Sequence, residues 1–243
     1  MSAAAPLFQT HPVRTSLPAQ ADEAALRHLY SHAPGTVRLG MIRSVDGLAA
    51  GPDGSSRSLN GPEDLRILRT LRANADVVLV GARTARQERY RDLSLPSGLA
   101  EARATDHPSS APPVAVVTAT GELPDGLTPA HTWILTYGGA PAATRMPADW
   151  HSRVLVAGNE QWDPTLALAQ LFERGMNRVL CEGGPQLATL LLERDLVDDY
   201  CLTTSPHPGG AHAAAVPPLP ARMARSHRLE GQGFSMERGV RRR

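Results

Sequence analysis

The stretch Arg178-Val179-Leu180-Cys181-Glu182-Gly183-Gly184-Pro185-Gln186-Leu187 changes character at its midpoint. Its first half is a short apolar run, as expected of a strand over residues 178–182 that is covered on both faces. Two glycines break the run. Pro185 then opens a helix over 185–194, because proline is tolerated in the first turn, where its missing N–H has no partner to lose. The same alternation surrounds this stretch. Residues 153–157 read as a strand, Asp163 caps a helix that begins at Pro164 and ends at Gly175, and residues 199–203 form the next strand. Strand, helix, strand, helix, strand requires right-handed crossovers and hence an α/β fold with a mostly parallel central sheet flanked by helices.

Earlier in the chain, Val77-Val78-Leu79-Val80 is another continuous apolar run, followed at its carboxyl end by Gly81-Ala82-Arg83-Thr84. Strands are also expected over 37–42, 114–118 and 133–136, and a last one over 233–237. A short helix fits 22–32. A longer one begins after Asn60 and Gly61, with Pro62 in its first turn, Glu63 and Asp64 suited to its positive end, and Leu65, Leu68 and Leu71 as an apolar stripe. Leu48-Ala49-Ala50 reads as a return strand after the Asp46-Gly47 turn. Residues 91–113 read as a long loop with one helical turn, residues 206–220 are irregular and rich in Pro, Gly and Ala, and 241–243 form a solvated tail. Residues 1–20 are expected to be a flexible N-terminal arm, leaving 21–243 as one domain.

The chain has 243 residues, and 25 Lys plus Arg against 24 Asp plus Glu give it a net charge of +1. That balance offers no general attraction to nucleic acid or an anionic membrane. No apolar run reaches the roughly 18 residues that span a bilayer, and the N-terminus carries no basic-then-apolar leader. Cys181 and Cys201 lie inside strand-like segments and are expected to be buried thiols of a reducing, cytoplasmic compartment. No CxxC, HxxxH or HExxH spacing is present, so no metal is expected, and no GxSxG elbow supports a serine hydrolase.

The chemistry is expected at the two strand-end glycine turns. Glycines let backbone approach an anion, and the helix that follows points free N–H groups at it. Read alone, the turn at Gly183 and Gly184 is equally a tight strand-to-helix connection, with Glu182 capping the helix. Thr84 after Gly81 is equally a helix cap. Two such turns at strand carboxyl ends, where open α/β sheets bind ligands, favour a phosphate-bearing ligand. Glu182 would repel that phosphate, so its carboxylate is expected to face a substrate amine, amide or hydroxyl. Asp46, on its own, is ordinary turn chemistry.

Taken in order, Ser44-Val45-Asp46-Gly47, then the run from Ala75 to Thr84, then Glu182-Gly183-Gly184-Pro185 resemble the reductase domain of bacterial riboflavin biosynthesis. This is the pyrimidine reductase C-terminal-domain family, and the likeness extends over about residues 37–210. The helix and strand over 192–203 resemble the family's last helix and following strand. The resemblance implies a dihydrofolate-reductase-like fold and a stand-alone, actinobacterial-type homologue without the zinc deaminase domain. It also implies an NADPH-dependent oxidoreductase, with NADH as the open alternative, that transfers hydride to a pyrimidine- or pterin-like heterocycle as a 5-amino-6-(5-phosphoribosylamino)uracil reductase does. A homodimer is implied as well.

Carried over residue by residue, Gly81, Thr84, Gly183 and Gly184 would hold the cofactor's phosphates and nicotinamide half, and Thr118 would lie near the adenosine ribose. Ser44, Asp46 and Glu182 would line the substrate pocket, with Glu182 and Asp46 as the catalytic candidates. Three places depart from the family's pattern. Gly40 stands where lysine is usual, Glu88-Arg89-Tyr90 stands where an Asp-Asp-Pro run is usual, and residues 118–122 hold no arginine for a 2′-phosphate. Two rival readings are a dihydrofolate-type reductase and a non-catalytic dinucleotide-binding homologue.

Overall fold

The computed structural model describes residues 6–12 and 14–242. In chain order its strands are β1 (Leu7–His11), β2 (Thr15–Leu17), β3 (Thr36–Arg43), β4 (Val77–Gly81), β5 (Val114–Val117), β6 (Thr132–Thr136), β7 (Val154–Val156), β8 (Arg178–Cys181), β9 (Asp199–Thr204), β10 (Met223–Gly231) and β11 (Phe234–Arg241). They form one sheet in the order β2-β1-β10-β11-β9-β3-β8-β4-β5-β6-β7. From β9 to β7 every pairing is parallel, and β11, β10, β1 and β2 extend that side antiparallel. This is the expected α/β architecture.

The apolar run of β4 has no exposed surface at Val77, Val78, Leu79 or Val80, because successive side chains meet helices on opposite faces. Val77 and Leu79 pack with Val179 and Cys181 under α6 (Pro164–Glu173) and α7 (Gly184–Glu193). Val78 and Leu180 pack on the other face under α1 (Ala24–Leu29) and α2 (Pro62–Ala73), through Leu26, Ile67 and Leu71. Val80 packs against Ala82 and Ala85 of α3 (Ala82–Gln87). The Asp163 cap is in place, its carboxylate accepting from the Thr165 and Leu166 N–H groups at 2.8 and 3.2 Å. Both cysteines are buried and free, and burial pushes each thiol up to about 12.

Several segments differ from the sequence reading, each for a tertiary reason. The described part of the expected arm is laid along the sheet as β1 and β2, with Leu7 and Leu17 buried. Residues 1–5 and 13 lie outside the described residues. The polar strand β10 was invisible to a hydrophobic pattern, yet it pairs with β11 from Met223↔Arg241 to Gly231↔Phe234. Their connection is a two-residue turn in which Gln232 and Gly233 both have positive φ, matching the twist of the hairpin. Arg241 is thus the end of β11, bonded to Asp195 and Val197, and not a loose tail. Arg243 lies outside the described residues. Within 91–113 the chain forms α4 (Ser97–Ala104), where buried Arg103 donates to the Ala73 and Ala75 carbonyls that end α2. Leu48–Ala50 makes no strand, only a single bridge from Leu48 to Ala215.

Where the parallel and antiparallel halves meet, a buried ion triple ties three strands together. Arg38 of β3 and Arg238 of β11 both reach the Asp199 carboxylate of β9, at 2.5 and 2.7 Å. Arg38 also donates to the Tyr30 and Ser31 carbonyls beyond α1. Beside this cluster lie two buried histidines: His227, with its ring edge-on to Tyr30 at 4.7 Å, and His32. Burial, reinforced by the arginine charges, lowers their pKa values to about 4 and about 3. An unfolded chain takes up these protons near pH 6.5 and the folded one does so only far below it. Stability is therefore complete above about pH 6.5 and falls as the pH drops towards 4, by up to about 1.4 kcal/mol per pH unit for each histidine. Denaturant titrations of the wild type and of a His32→Leu, His227→Phe double variant at pH 7.5 and pH 5 check this. The variant should lose clearly less stability over that interval, and equal losses would show that the histidines do not set the acid sensitivity.

Candidate active site

Gly183 and Gly184 end β8 and open α7, and the turn they form leans directly on the turn that ends β4. A Cβ on Gly183 would stand 2.8 Å from the Val80 Cα and 2.9 Å from the Gly81 N. Gly184 has a φ of +71°, and a Cβ there would be 2.3 Å from the Thr84 Oγ1. Both glycines are thus required by contact between the two turns. The four residues Gly81, Thr84, Gly183 and Gly184 come together at the carboxyl ends of adjacent parallel strands.

They line one end of a cavity of about 1140 Å³. The remaining wall includes β3, α2 from Pro62 to Arg72, the end of β9, and residues within 49–61, 87–93 and 210–214. No side chain caps the helix start; the Gly184 N–H is taken by the Glu182 carbonyl at 3.2 Å and Pro185 has none, so the N–H groups left at this end begin with Gln186. The same cavity is lined by Arg83, Arg89 and Arg91, whose guanidinium groups make no hydrogen bond or ion pair with any described residue. A large cavity with uncapped helix N–H groups and three unpaired arginines fits a ligand with several phosphates, as a dinucleotide cofactor has.

Glu182 lines the cavity but its carboxylate is already occupied. Arg72 of α2 grips it at both oxygens, 2.7 and 2.6 Å, and the Tyr90 hydroxyl donates to Oε2 at 2.7 Å. Its side chain is 4% exposed. Burial, with the Glu182 charge, holds the Tyr90 phenol far above its usual pKa, so it remains a donor. Position 90 thus contributes to the site through a contact with Glu182 that the primary sequence does not reveal.

Ser44 and Asp46 stand apart from the cavity. The Ser44 hydroxyl accepts from the Leu48 N–H at 2.8 Å and bonds Asp46, and the exposed Asp46 carboxylate accepts from the Gly209 N–H at 2.8 Å. Those two contacts hold the Asp46 carboxyl below the usual range. Together with the bonds of Val45 to His207 and Ala49 to Ala214, they pin the 205–216 segment to the 44–50 turn. Thr118 is buried beyond β5, and its hydroxyl accepts from the Gly121 N–H at 3.1 Å. It does not line the cavity.

Two residues that the sequence reading did not place at the site lie in or near this region. Arg86 of α3 donates to the Glu122 carbonyl at 2.8 Å, so a guanidinium stands beside the 118–122 segment that lacks an arginine of its own. Asp64, in the first turn of α2, lines the cavity although only 6% exposed. It bonds the Thr203 hydroxyl, and burial, with the nearby Glu182 charge also adding, raises its pKa to about 6. Its sequence signal, an acid at a helix start, pointed only to the helix dipole. Gly40 also lines the cavity, and a Cβ there would meet Leu180 and Leu71 at 3.2 and 3.4 Å. The space beside it is filled by leucines.

Residues 35–229 match the model of the RibD C-terminal domain. The chain is 27% identical over 176 residues to the 2,5-diamino-6-ribosylamino-4(3H)-pyrimidinone 5′-phosphate reductase of Archaeoglobus fulgidus, covering 70% of this chain and 80% of that protein. It is 29% identical over 174 residues to the enzyme of the same name from Methanothermobacter thermautotrophicus, covering 70% and 77%. Its fold is similar to that of a pyrimidine reductase-like protein from Corynebacterium diphtheriae, with a TM-score of 0.71 and 21% identity over 86% of this chain and 92% of that one.

The Glu182 clamp predicts a stability effect separable from any chemistry. Glu182→Gln leaves Arg72 buried without a counter-charge, and should cost roughly 3 kcal/mol, as breaking one side of a buried pair does. Glu182→Leu combined with Arg72→Met should recover part of that loss. Denaturant unfolding of the single and double variants checks this, and additive losses would dismiss the clamp.

Proposed function

The chain belongs to the RibD C-terminal domain family, and from that premise we propose that it is an NADPH-dependent oxidoreductase that reduces a ribosylamino-pyrimidine phosphate. The observation that carries the reading is the meeting of the two glycine turns at one end of a cavity lined by unpaired arginines. The family's named reductases act on a phosphorylated ribosylamino-pyrimidine, and the arginines suit the phosphates of both such a substrate and a dinucleotide. When bound, the reduced nicotinamide supplies the hydride.

The chain's own residues then have four tasks. The Gly81 and Gly183-Gly184 turns, with Thr84 and the start of α7, hold the dinucleotide by backbone N–H groups and a hydroxyl. Arg83, Arg89 and Arg91 neutralise phosphates and take over the work of the lysine that Gly40 replaces. Glu182 is a positioning residue. Gripped by Arg72 and Tyr90, it fixes the carboxyl end of β8 against α2 and so sets the cofactor turn relative to the substrate. Ser44 and Asp46 position the 205–216 wall of the cavity. We also propose that the protein works as a cytoplasmic homodimer, which equilibrium sedimentation tests.

The preference for NADPH rests on Arg86, which stands beside the segment where the resemblance puts the adenosine ribose. A charge-assisted hydrogen bond contributes about 1.5–3 kcal/mol, so Arg86→Met should weaken NADPH roughly 10- to 100-fold while changing NADH little. Calorimetric titration with each nucleotide checks this. Steady-state NADPH oxidation with the ribosylamino-pyrimidine phosphate and, separately, with dihydrofolate tests the activity. Turnover of dihydrofolate alone would favour the dihydrofolate-type rival, binding without turnover of either would leave a dinucleotide-binding homologue, and no binding of NADPH or NADH at millimolar concentration would end the reductase reading.

A further inference from the structure

With both oxygens of Glu182 occupied, the cavity needs another group to handle protons. Asp64 is the buried acid that lines it without an ionic partner. It stands at the third residue of α2, where its carboxyl is directed across the parallel strands to the Thr203 hydroxyl at the end of β9. Asn60, in the amide orientation that satisfies both its groups, donates to Asp64 Oδ2 and accepts nothing from it, at 3.2 Å. The charged groups that face Asp64 are Glu182 at the end of β8 and Arg72 of the same helix. Arg72 spends its hydrogen bonds on Glu182, and at Asp64 the Glu182 charge outweighs that of Arg72. No guanidinium or ammonium of a described residue bonds it. A carboxyl in that position retains its proton into the mildly acidic range, a shift whose largest cause is burial and which brings it to about 6.

We propose that Asp64 is the catalytic acid of this site, donating a proton to the ring oxygen of the substrate's ribosylamino group as that ring opens. The proposal rests on the reductase reading above and adds the proton route. A ribosylamino group is an N-glycosylamine, whose C1′ carries both the amine nitrogen and the ring oxygen. To reduce it, the C1′–O4′ bond breaks with its electron pair going to O4′. Asp64 transfers its proton to O4′, which becomes a hydroxyl, and the hydride pair of the reduced nicotinamide dinucleotide forms the new C1′–H bond. The nicotinamide is oxidised, C1′ is reduced, and the Asp64 carboxylate regains its proton from water. Thr203 and Asn60 hold the carboxyl in place through this exchange.

Asp64→Asn keeps the shape and the hydrogen-bonding neighbours but removes the proton. The first measurement is NADPH binding by fluorescence, where wild type and variant should agree within about twofold. The second is kcat/KM for the ribosylamino-pyrimidine phosphate between pH 5 and pH 8.5. The wild type should lose activity about tenfold per pH unit above pH 6, and the variant should be at least roughly 100-fold slower, the usual size of a general-acid contribution, with no such dependence. The third needs no turnover: the infrared difference between wild type and variant should show a protonated carboxyl at pH 5 that disappears as the pH rises through 6. A variant that keeps the wild-type limb, or that reacts within threefold of wild type, overturns the assignment, as does the absence of a protonated carboxyl at pH 5. A wild type that binds NADPH yet reduces no such substrate overturns the reductase reading itself. That failure is distinguishable from the others because the carboxyl still titrates.

Discussion

The carboxylate of Glu182 fixes three elements with one charge. It leaves the end of β8, meets the Arg72 guanidinium from α2 at both oxygens, and takes the Tyr90 hydroxyl from the segment after α3. Removing two charges from water is costly, and geometry of this quality is what makes a buried pair tolerable. The consequence is rigidity. The helix that carries Asp64 and the turn that carries Gly183 and Gly184 cannot shift independently. The second glycine turn is in turn set by contact with the first, since there is no room for a Cβ between Gly183 and Val80.

This arrangement explains why so much of the fold was legible in the sequence and so much less of the site. Continuous apolar runs such as Val77–Val80 can only be strands covered on both faces, and the caps at Asp163 and Pro185 are local chemistry that needs no tertiary context. The polar strand β10 was hidden because what orders it is backbone pairing with β11 on one side and β1 on the other, with Met223 and Leu229 as its buried apolar side chains. Nor could the sequence show α4, whose buried Arg103 donates to the carbonyls at the end of α2. The edge strand β2 and its neighbour β1 are too short to show alternation, and only the sheet they join orders them.

Of the motif residues, the four glycine-turn positions converge, whereas Ser44, Asp46 and Thr118 stand outside the cavity lining. Pairing partners were not legible. Nothing in the local sequence says that Arg72 and Tyr90, 110 and 92 residues from Glu182, meet its carboxylate. Nor does a net charge of +1 reveal that three arginines with no acidic partner face one cavity. Charge totals average over the surface, whereas binding depends on which cations remain unpaired and where they point. Asp64 was read as a helix-start acid for the same reason. That reading is true of its backbone position and silent about the cavity in front of it.

Two carboxyl groups therefore share a cavity wall with opposite surroundings, and surroundings decide what each can do. Glu182 has a bidentate guanidinium and a phenol, so its charge is held and its lone pairs are used. Asp64 has a hydroxyl and an amide, neither of which carries charge, and it lies close enough to Glu182 to feel that charge. An acid that must release a proton and take it back needs the second kind of environment, and a residue that must not move needs the first. Exchanging the two environments would leave the composition of the cavity wall unchanged and would reverse the roles. The division therefore follows from Arg72 meeting the carboxylate at the end of β8 and leaving the one beside β9 without an ionic partner.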